Sequence, residues 1–173
     1  MPRNVQLFSV AQLIAAAALD ENLYDIDIEV SAKAVQDEYV EGTIGTCLFN
    51  RLCDLVETGD IDKPDNIAYK RLLVDYVLYV VAWGVRYDIE PQLQNKIRNA
   101  GVTNSTDEHL VTVAQNIMFE NMGRYKRRMQ FYAKALLKYV HDNKDIYKEF
   151  EPCGNSCSST NSGSGYLAGI AVD

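Results

Sequence analysis

Apolar residues recur every three or four positions through the first 60 residues, between short polar breaks. An α-helix repeats every 3.6 residues, so this spacing predicts helices. Ser9 and Gln12 stand at the spacing of a capping box and open a first helix over residues 10–19. Asp25 is predicted to cap a second helix, and a third helix follows Gly45.

The most apolar stretch lies within residues 68–86. From Tyr76 to Val85 it contains no charged residue and is apolar on every side. Its valines permit a strand, but its length and the helical spacing of its first half favour a helix. A helix that is apolar all round is buried, so this segment is predicted to lie at the centre of a bundle or in a subunit interface. The run is about half of the roughly 20 residues that span a bilayer, and no membrane partner is predicted.

Residues 88–104 interrupt the helical pattern. Pro91 comes first, followed by Leu93 and Ile97 among polar residues and then by Gly101. Proline and glycine disfavour a continuous helix. This region is therefore predicted to be a short extended or hairpin excursion.

The longest periodic segment covers residues 107–143 and opens with Ser105 and Glu108 at capping-box spacing. It predicts one long C-terminal helix of about 55 Å, at 1.5 Å per residue. Its apolar stripe advances in alternating steps of four and three residues, as in helices that pack against a partner within or between subunits. The stripe comprises Met118, Met122, Tyr125, Met129, Tyr132, Leu136 and Tyr139.

The predicted fold class is therefore all-α, a helical bundle over residues 1–150. The apolar run and the stripe offer more apolar surface than one small bundle needs, which predicts a cyclic homo-oligomer. The predicted interface residues are Tyr76, Val80, Trp83, Met122, Tyr125, Met129 and Tyr132.

The composition changes abruptly after Pro152. Residues 153–165 are rich in Ser and Gly, a composition typical of a flexible linker. A short apolar segment follows and is too small to build a core of its own. Residues 151–173 are therefore predicted to be a linker and an extended C-terminal docking arm, whose docking residues are Tyr166, Leu167, Ile170 and Val172.

Charge is unevenly distributed along the 173 residues. The net charge is −7, and residues 1–86 carry 7 basic and 14 acidic side chains whereas residues 87–173 carry 10 of each. An acidic chain is a poor general binder of polyanions, because affinity for a phosphate backbone comes mainly from Lys and Arg. The asymmetry permits head-to-tail pairing of an acidic face with a basic one. The single concentrated basic feature comprises Arg124, Lys126, Arg127 and Arg128, a possible contact for DNA or for an acidic partner.

Candidate catalytic chemistry is sparse. The chain has two histidines, and neither lies in a nucleophile arrangement. Cys153 and Cys157 could bind zinc with His141, but the spacing is atypical and a fourth ligand is missing. The sequence predicts no catalytic residues, no metal site, no cofactor and no enzymatic activity.

Several local patterns follow one another over most of residues 7–150. They are Leu7-Phe8-Ser9, residues 19–25, Ala34-Val35-Gln36-Asp37, Ile44-Gly45-Thr46-Cys47-Leu48-Phe49, Tyr69 with Leu72-Leu73, residues 96–102, and the helix of Tyr125, Tyr132, Leu136 and Tyr139. Together these patterns resemble the head-to-tail connector, or adaptor, proteins of tailed phages of Bacteroidetes, of the crAss-like phage type. Ala100, often a lysine in that family, and the Cys- and Ser-rich tail depart from the resemblance.

The resemblance implies a helical subunit of a ring, usually of twelve copies, between portal and tail in the virion, made in the bacterial host cytoplasm. Its partners would be further copies, the portal protein, tail or further ring proteins, and genome DNA that passes without specific recognition. The alternative from another class is a small helical DNA-binding or regulatory protein that uses the Arg124–Arg128 cluster.

Overall fold

A computed structural model describes residues 4–19, 23–99 and 108–150, with side chains described outside residues 92–115. Every regular element in these ranges is helical, which confirms the all-α prediction. The α-helices are α1 (Val10–Ala17), α2 (Asp25–Val35), α3 (Glu41–Ile44), α4 (Thr46–Glu57), α5 (Ile67–Leu72), α6 (Leu78–Asn99) and α7 (Glu108–Asp142).

The first helix has the capping box that its sequence predicts. The backbone N–H of Gln12 donates to the hydroxyl of Ser9 at 3.4 Å, and the backbone N–H of Ser9 donates to Oε1 of Gln12 at 2.9 Å. In α2 the prediction is wrong by one residue: Tyr24 is the N-cap, and Asp25 is the first helical residue. An acidic residue there still favours the helix, because the N-terminus carries the positive end of the helix dipole.

A π-helical turn, Gln36–Val40, joins α2 to α3. Gln36 is fully buried. Its Oε1 accepts the backbone N–H of Leu7 at 2.9 Å, and its Nε2 donates to the carbonyl of Val5 at 3.1 Å. A buried amide needs such partners, so Gln36 holds the N-terminal segment against α2.

The helix over 68–86 is confirmed and is longer than its sequence predicts. A second π-helical turn, Leu73–Val77, joins α5 directly to α6, and α6 continues to Asn99. The extended excursion predicted at 88–104 is therefore wrong for residues 88–99, and residues 100–107 lie outside the described residues. Pro91 stands inside α6.

Packing explains why α6 continues past the expected break. Val81, Val85 and Ile89 repeat every four residues and are all buried in the core. Ending the helix at residue 87, where the predicted excursion begins, would withdraw Ile89 from that core, at a cost of about 1.5–3 kcal/mol for one large apolar side chain. The tertiary contacts therefore override the local signal.

The core is built around α6, which packs against α1, α2 and α7. Gly84 marks the closest approach of three helices. A Cβ atom at Gly84 would lie 2.5 Å from Cγ1 of Val35 on α2 and 3.2 Å from Sδ of Met129 on α7. Glycine is needed at this position because any side chain would push the helices apart.

The chain after α7 folds back onto the bundle. Tyr147 is fully buried, and its hydroxyl donates to the carbonyl of Ala68 at 3.0 Å. The hydroxyl of Tyr69 donates to the carboxylate of Glu149 at 3.0 Å. Burial raises the pKa of both Tyr147 and Tyr69. These contacts fix residues 147–150 beside α5. The predicted arm, residues 151–173, lies outside the described residues.

Across the described ranges, no helix combines the length and the hydropathy that crossing a bilayer requires.

Candidate interaction surfaces

The apolar stripe of α7 packs within the subunit. Val80 of α6 and Met129 of α7 have exposed fractions of 0% and 1%, and Tyr125 is also buried. The structure thus corrects the prediction that these three residues form a subunit interface, because the packed helices of one subunit already bury them. Of the two arrangements that the stripe allows, the contact within one subunit is the observed one.

The other four predicted interface residues are only partly buried. Tyr76 stacks on Tyr139 with the ring centroids 4.3 Å apart, and Tyr132 stacks on Tyr79 at 5.1 Å. These stacks join α7 to the helix formed by α5 and α6. A role for Tyr76, Trp83, Met122 and Tyr132 between subunits stays a prediction.

The predicted basic cluster lies on the surface. Arg124, Arg127 and Arg128 are exposed, whereas Lys126 is half-buried. The guanidinium of Arg128 lies 4.5 Å from the centroid of the Trp83 ring, a cation–π contact. Nη2 of Arg124 donates to Oδ1 of Asn121 at 3.0 Å.

Arg86, which the sequence did not single out, connects this cluster to α1. Its guanidinium lies 4.7 Å from the centroid of the Tyr125 ring and donates to the carbonyls of Ala17 and Ala18, the latter at 2.7 Å. A cation at the C-terminus of a helix satisfies free carbonyls and favours the helix dipole. An open cavity of about 320 Å³ lies beside it, lined by the end of α1 together with Trp83, Arg86, Arg124, Tyr125 and Arg128.

The side of α7 away from the core carries a second stripe with the same alternation of three and four residues. We name it the outer stripe; it comprises Arg124, Arg127, Phe131, Lys134 and Lys138, all exposed. Phe131 has an exposed fraction of 67% and, together with Arg127 and Tyr132, lines an open cavity of about 350 Å³. Between Glu120 and Asp142 this helix carries six Lys and Arg and no acidic residue. We name the apolar stripe of α7, from Met118 to Tyr139, the inner stripe. The spacing could have revealed Phe131, because the outer stripe has the same period as the inner stripe.

The outer side of α2 differs from that of α7 in charge. Ile26 and Val30 have exposed fractions of 61% and 64%, and Ala34 is also exposed. They line an open groove of about 460 Å³, which we name the α2 groove, together with Asn4, Gln6, Glu29, Lys33 and Asp37. Ile26, Val30 and Ala34, which stand four residues apart in the sequence, thus face outward. The core side of α2 consists of Ile28, Ser31, Ala32 and Val35.

The α2 groove is acidic overall. From Asp25 to Glu41 the chain has six acidic residues and one lysine. That lysine, Lys33, forms an ion pair with Asp37 one turn further on. Glu29 is exposed.

The side chains that were candidates for metal binding lie apart or outside the described residues. In the described part of the chain no three His, Cys, Asp or Glu side chains come together to hold a metal ion. His141 is exposed and lies 3.7 Å from the carboxylate of Asp142. Cys153, Cys157 and the four predicted docking residues, Tyr166, Leu167, Ile170 and Val172, fall outside the described residues.

Comparison with known proteins identifies one family. A family model described as a family of unknown function, DUF6712, matches residues 40–160, which include α4 to α7 and the basic cluster. Residues 4–39, with α1 and α2, precede the match. No curated protein and no solved structure matches the chain. Since the match covers more than half of the chain, the protein belongs to the DUF6712 family.

Proposed function

We propose that this protein is a structural subunit of a phage virion, one copy in a ring between portal and tail that extends the DNA channel and joins head to tail. In this proposal the protein is made in the host cytoplasm and resides at the portal–tail junction. The resemblance of its local patterns to phage connectors supports the proposal. The observation that carries it is the pair of outer helix faces with exposed apolar residues and opposite charge.

Exposed apolar side chains at these two places favour assembly. Ile26 and Val30 on α2 and Phe131 on α7 are each more than half exposed. An exposed patch of neighbouring apolar side chains with polar residues at its rim marks a site where another protein binds, and Ile26, Val30 and Ala34 form such a patch in the α2 groove. Two different faces on one subunit allow heterologous contacts, which close into rings when the rotation between copies is suitable.

The charge of the chain suits a channel for DNA. With a net charge of −7, the subunit repels phosphates on balance, which would let DNA slide through without sticking. The proposal assigns the protein no enzymatic activity and no cofactor. DNA contacts are expected to be weak and independent of base sequence.

Mass measurement and electron microscopy test the proposal directly. The purified full chain, alone and mixed with its portal protein, is expected to form a closed ring, with twelve copies as the number that the resemblance implies. A chain that stays monomeric in both conditions would contradict the proposal.

The predicted docking arm has its own test. Deleting residues 160–173 is expected to leave the helical circular dichroism signal intact, because the helices α1 to α7 all end before residue 143. Assembly onto the portal is expected to weaken, since Tyr166, Leu167, Ile170 and Val172 would each stabilise docking through burial, at about 25 cal/mol per Å². Unchanged assembly would place the portal contact in the helices.

The second candidate is a DNA-binding or regulatory protein. The six Lys and Arg on one exposed stretch of α7 favour it. It predicts tight binding to duplex DNA whose log affinity falls with log salt, with a slope of about −0.9 per phosphate contacted. Tight, base-selective binding at physiological salt, lost in an R124Q/R127Q variant, would support this candidate over the ring.

A further inference from the structure

We propose that neighbouring copies of this chain pair through the outer stripe of α7 and the α2 groove, with Phe131 of one copy seated in the groove of the next. The pairing rests on the proposed function, because it supplies the contact between copies of the ring. It is heterologous: each copy uses its α7 on one side and its α2 on the other.

Charge complementarity argues for a second copy as the occupant of the groove. The outer stripe presents four exposed cations, two on either side of Phe131: Arg124, Arg127, Lys134 and Lys138. The groove is lined by Glu29, by Asp37 and by Lys33, which pairs with Asp37, on a segment with six acidic residues and one lysine. Opposite potentials on two surfaces favour their encounter and fix their register. Like surfaces, α7 against α7 or α2 against α2, would repel each other.

Shape and polarity agree with the charges. Phe131 stands out from α7, with 67% of its surface exposed and its ring packed edge-on against Tyr132 at a centroid distance of 5.4 Å. The groove offers an apolar lining of Ile26, Val30 and Ala34. An aromatic side chain in an apolar pocket, with charged residues around it, is the usual centre of a protein–protein contact.

The two faces also space charged and apolar residues in a similar way. On α7 the cations Arg127 and Lys134 lie one turn before and one turn after Phe131. Glu29 lies on α2 and Asp37 on the π-helical turn that follows it, with Val30 and Ala34 between them. With Phe131 seated between those apolar residues, we expect one cation to meet Glu29 and the other to join the existing pair of Lys33 and Asp37.

Charge reversal followed by mixing tests this pairing. Variant one carries E29K/D37K, and variant two carries R127E/K134E. Each alone places like charges on both of its faces, so each is expected to lose ring assembly in native mass spectrometry. In an equimolar mixture every contact between unlike variants is complementary again, and rings in which the two variants alternate are expected. The control variant E57K/D65K makes the same charge change at exposed positions outside both faces and is expected to assemble as the wild type does.

A second measurement isolates the apolar contact. F131A is expected to raise the concentration of half-assembly about 30-fold, the effect of losing a central contact residue. F119A removes another exposed phenylalanine from a different side of α7, and it is expected to change the concentration of half-assembly little. Equal effects of F131A and F119A would overturn the placement of Phe131 in the contact.

The outcomes separate this inference from the proposed function. A wild-type chain that stays monomeric with and without its portal protein refutes the ring and the pairing together. A wild-type ring that both charge-reversed variants still form refutes only the pairing. Loss of assembly in both folded variants without rescue on mixing also refutes it. Circular dichroism verifies that each variant is folded, and where one is not, the comparison of F131A with F119A decides.

Discussion

The inner and outer stripes of α7 share one helix and one period, yet they differ in almost every other property. Met129, Leu136 and Val140 on the inner side are buried against the rest of the bundle. Arg127, Phe131 and Lys134 on the outer side are exposed. Periodicity alone therefore identifies the helix, and the chemistry of each face decides which one enters the core.

The comparison also shows where apolar surface is available for a partner. The inner stripe is the richer in large apolar residues, but α6 covers most of it. The outer stripe has a single large apolar residue, Phe131, and leaves it exposed. An interface is therefore better sought in an isolated apolar residue among like charges than in a continuous apolar stripe.

Truncating one large side chain on each stripe is expected to give the largest difference in the free energy of unfolding. M129A leaves a cavity beside Gly84 and is expected to lower the free energy of unfolding by about 2–5 kcal/mol. F131A, in the monomeric subunit, is expected to change it by less than about 0.5 kcal/mol, because the side chain is exposed. Urea denaturation of both variants measures the difference, and similar losses in the two would remove the distinction between the stripes.

Overpacking the inner side comes next in size. G84A places a methyl group against Val35 and Met129, and we expect a loss of about 1–3 kcal/mol, reduced by the better helix propensity of alanine. Thermal unfolding followed by circular dichroism measures it. As a control, G42A introduces alanine into α3, where a Cβ meets nothing within 4 Å, and is expected to be neutral or stabilising. A stabilising G84A would show that the three helices are not closely packed there.

Alkaline pH tests the buried contacts just after α7, where Tyr147 packs into the core. Burial raises the pKa of Tyr147 above its ordinary value of 10, so above pH 10 its phenol is ionised in the unfolded chain and still neutral in the folded one. The unfolded state then binds fewer protons, and stability falls as pH rises.

Y147F is expected to cost about 1 kcal/mol at neutral pH, because the carbonyl of Ala68 loses its hydrogen bond. The fall in stability above pH 10 is expected to be shallower in Y147F than in the wild type. Some decline remains, because burial also raises the pKa of Tyr69 and Tyr76. Denaturation at pH 7 and at pH 10.5 checks both parts, and parallel declines would show that Tyr147 titrates normally.

The smallest effect is expected on the outer stripe. Lys134 and Lys138 are like charges one helical turn apart, an arrangement that destabilises a helix by about 0.2–0.5 kcal/mol at low salt. K134Q in the monomeric subunit is expected to recover that amount at low salt and nothing at high salt. A gain in the stability of K134Q that persists at 1 M salt would contradict repulsion between Lys134 and Lys138 as its cause.

Much of the fold follows from sequence patterns that act locally. The capping box at Ser9 and the break at Gly45 both lie where the sequence predicts them. The last helix, α7, differs by one residue at each end from the predicted range 107–143. These features depend on neighbours within a few residues, so the sequence contains the whole signal.

The other features depend on residues far apart in the chain. The helix α6 continues past residue 87 because Ile89 is held in the core, and Gln36 is buried because Val5 and Leu7 supply its partners. Neither partner is visible from the local sequence. The same limit affects the candidate surfaces, because the basic cluster is evident in the sequence whereas its proximity to Arg86 and α1 requires the fold.

The contacts at the end of α7 bear on the order in which the subunit takes shape. Tyr147 meets Ala68 across 79 residues, and Tyr69 meets Glu149 across 80. Closing loops of that length costs entropy that only an already assembled bundle repays, so these contacts are expected to form late in folding. Until they form, residue 150 has no fixed position, and whatever follows it has no fixed starting point. The subunit is then ready to place its C-terminal residues on a neighbour only after its own folding is complete.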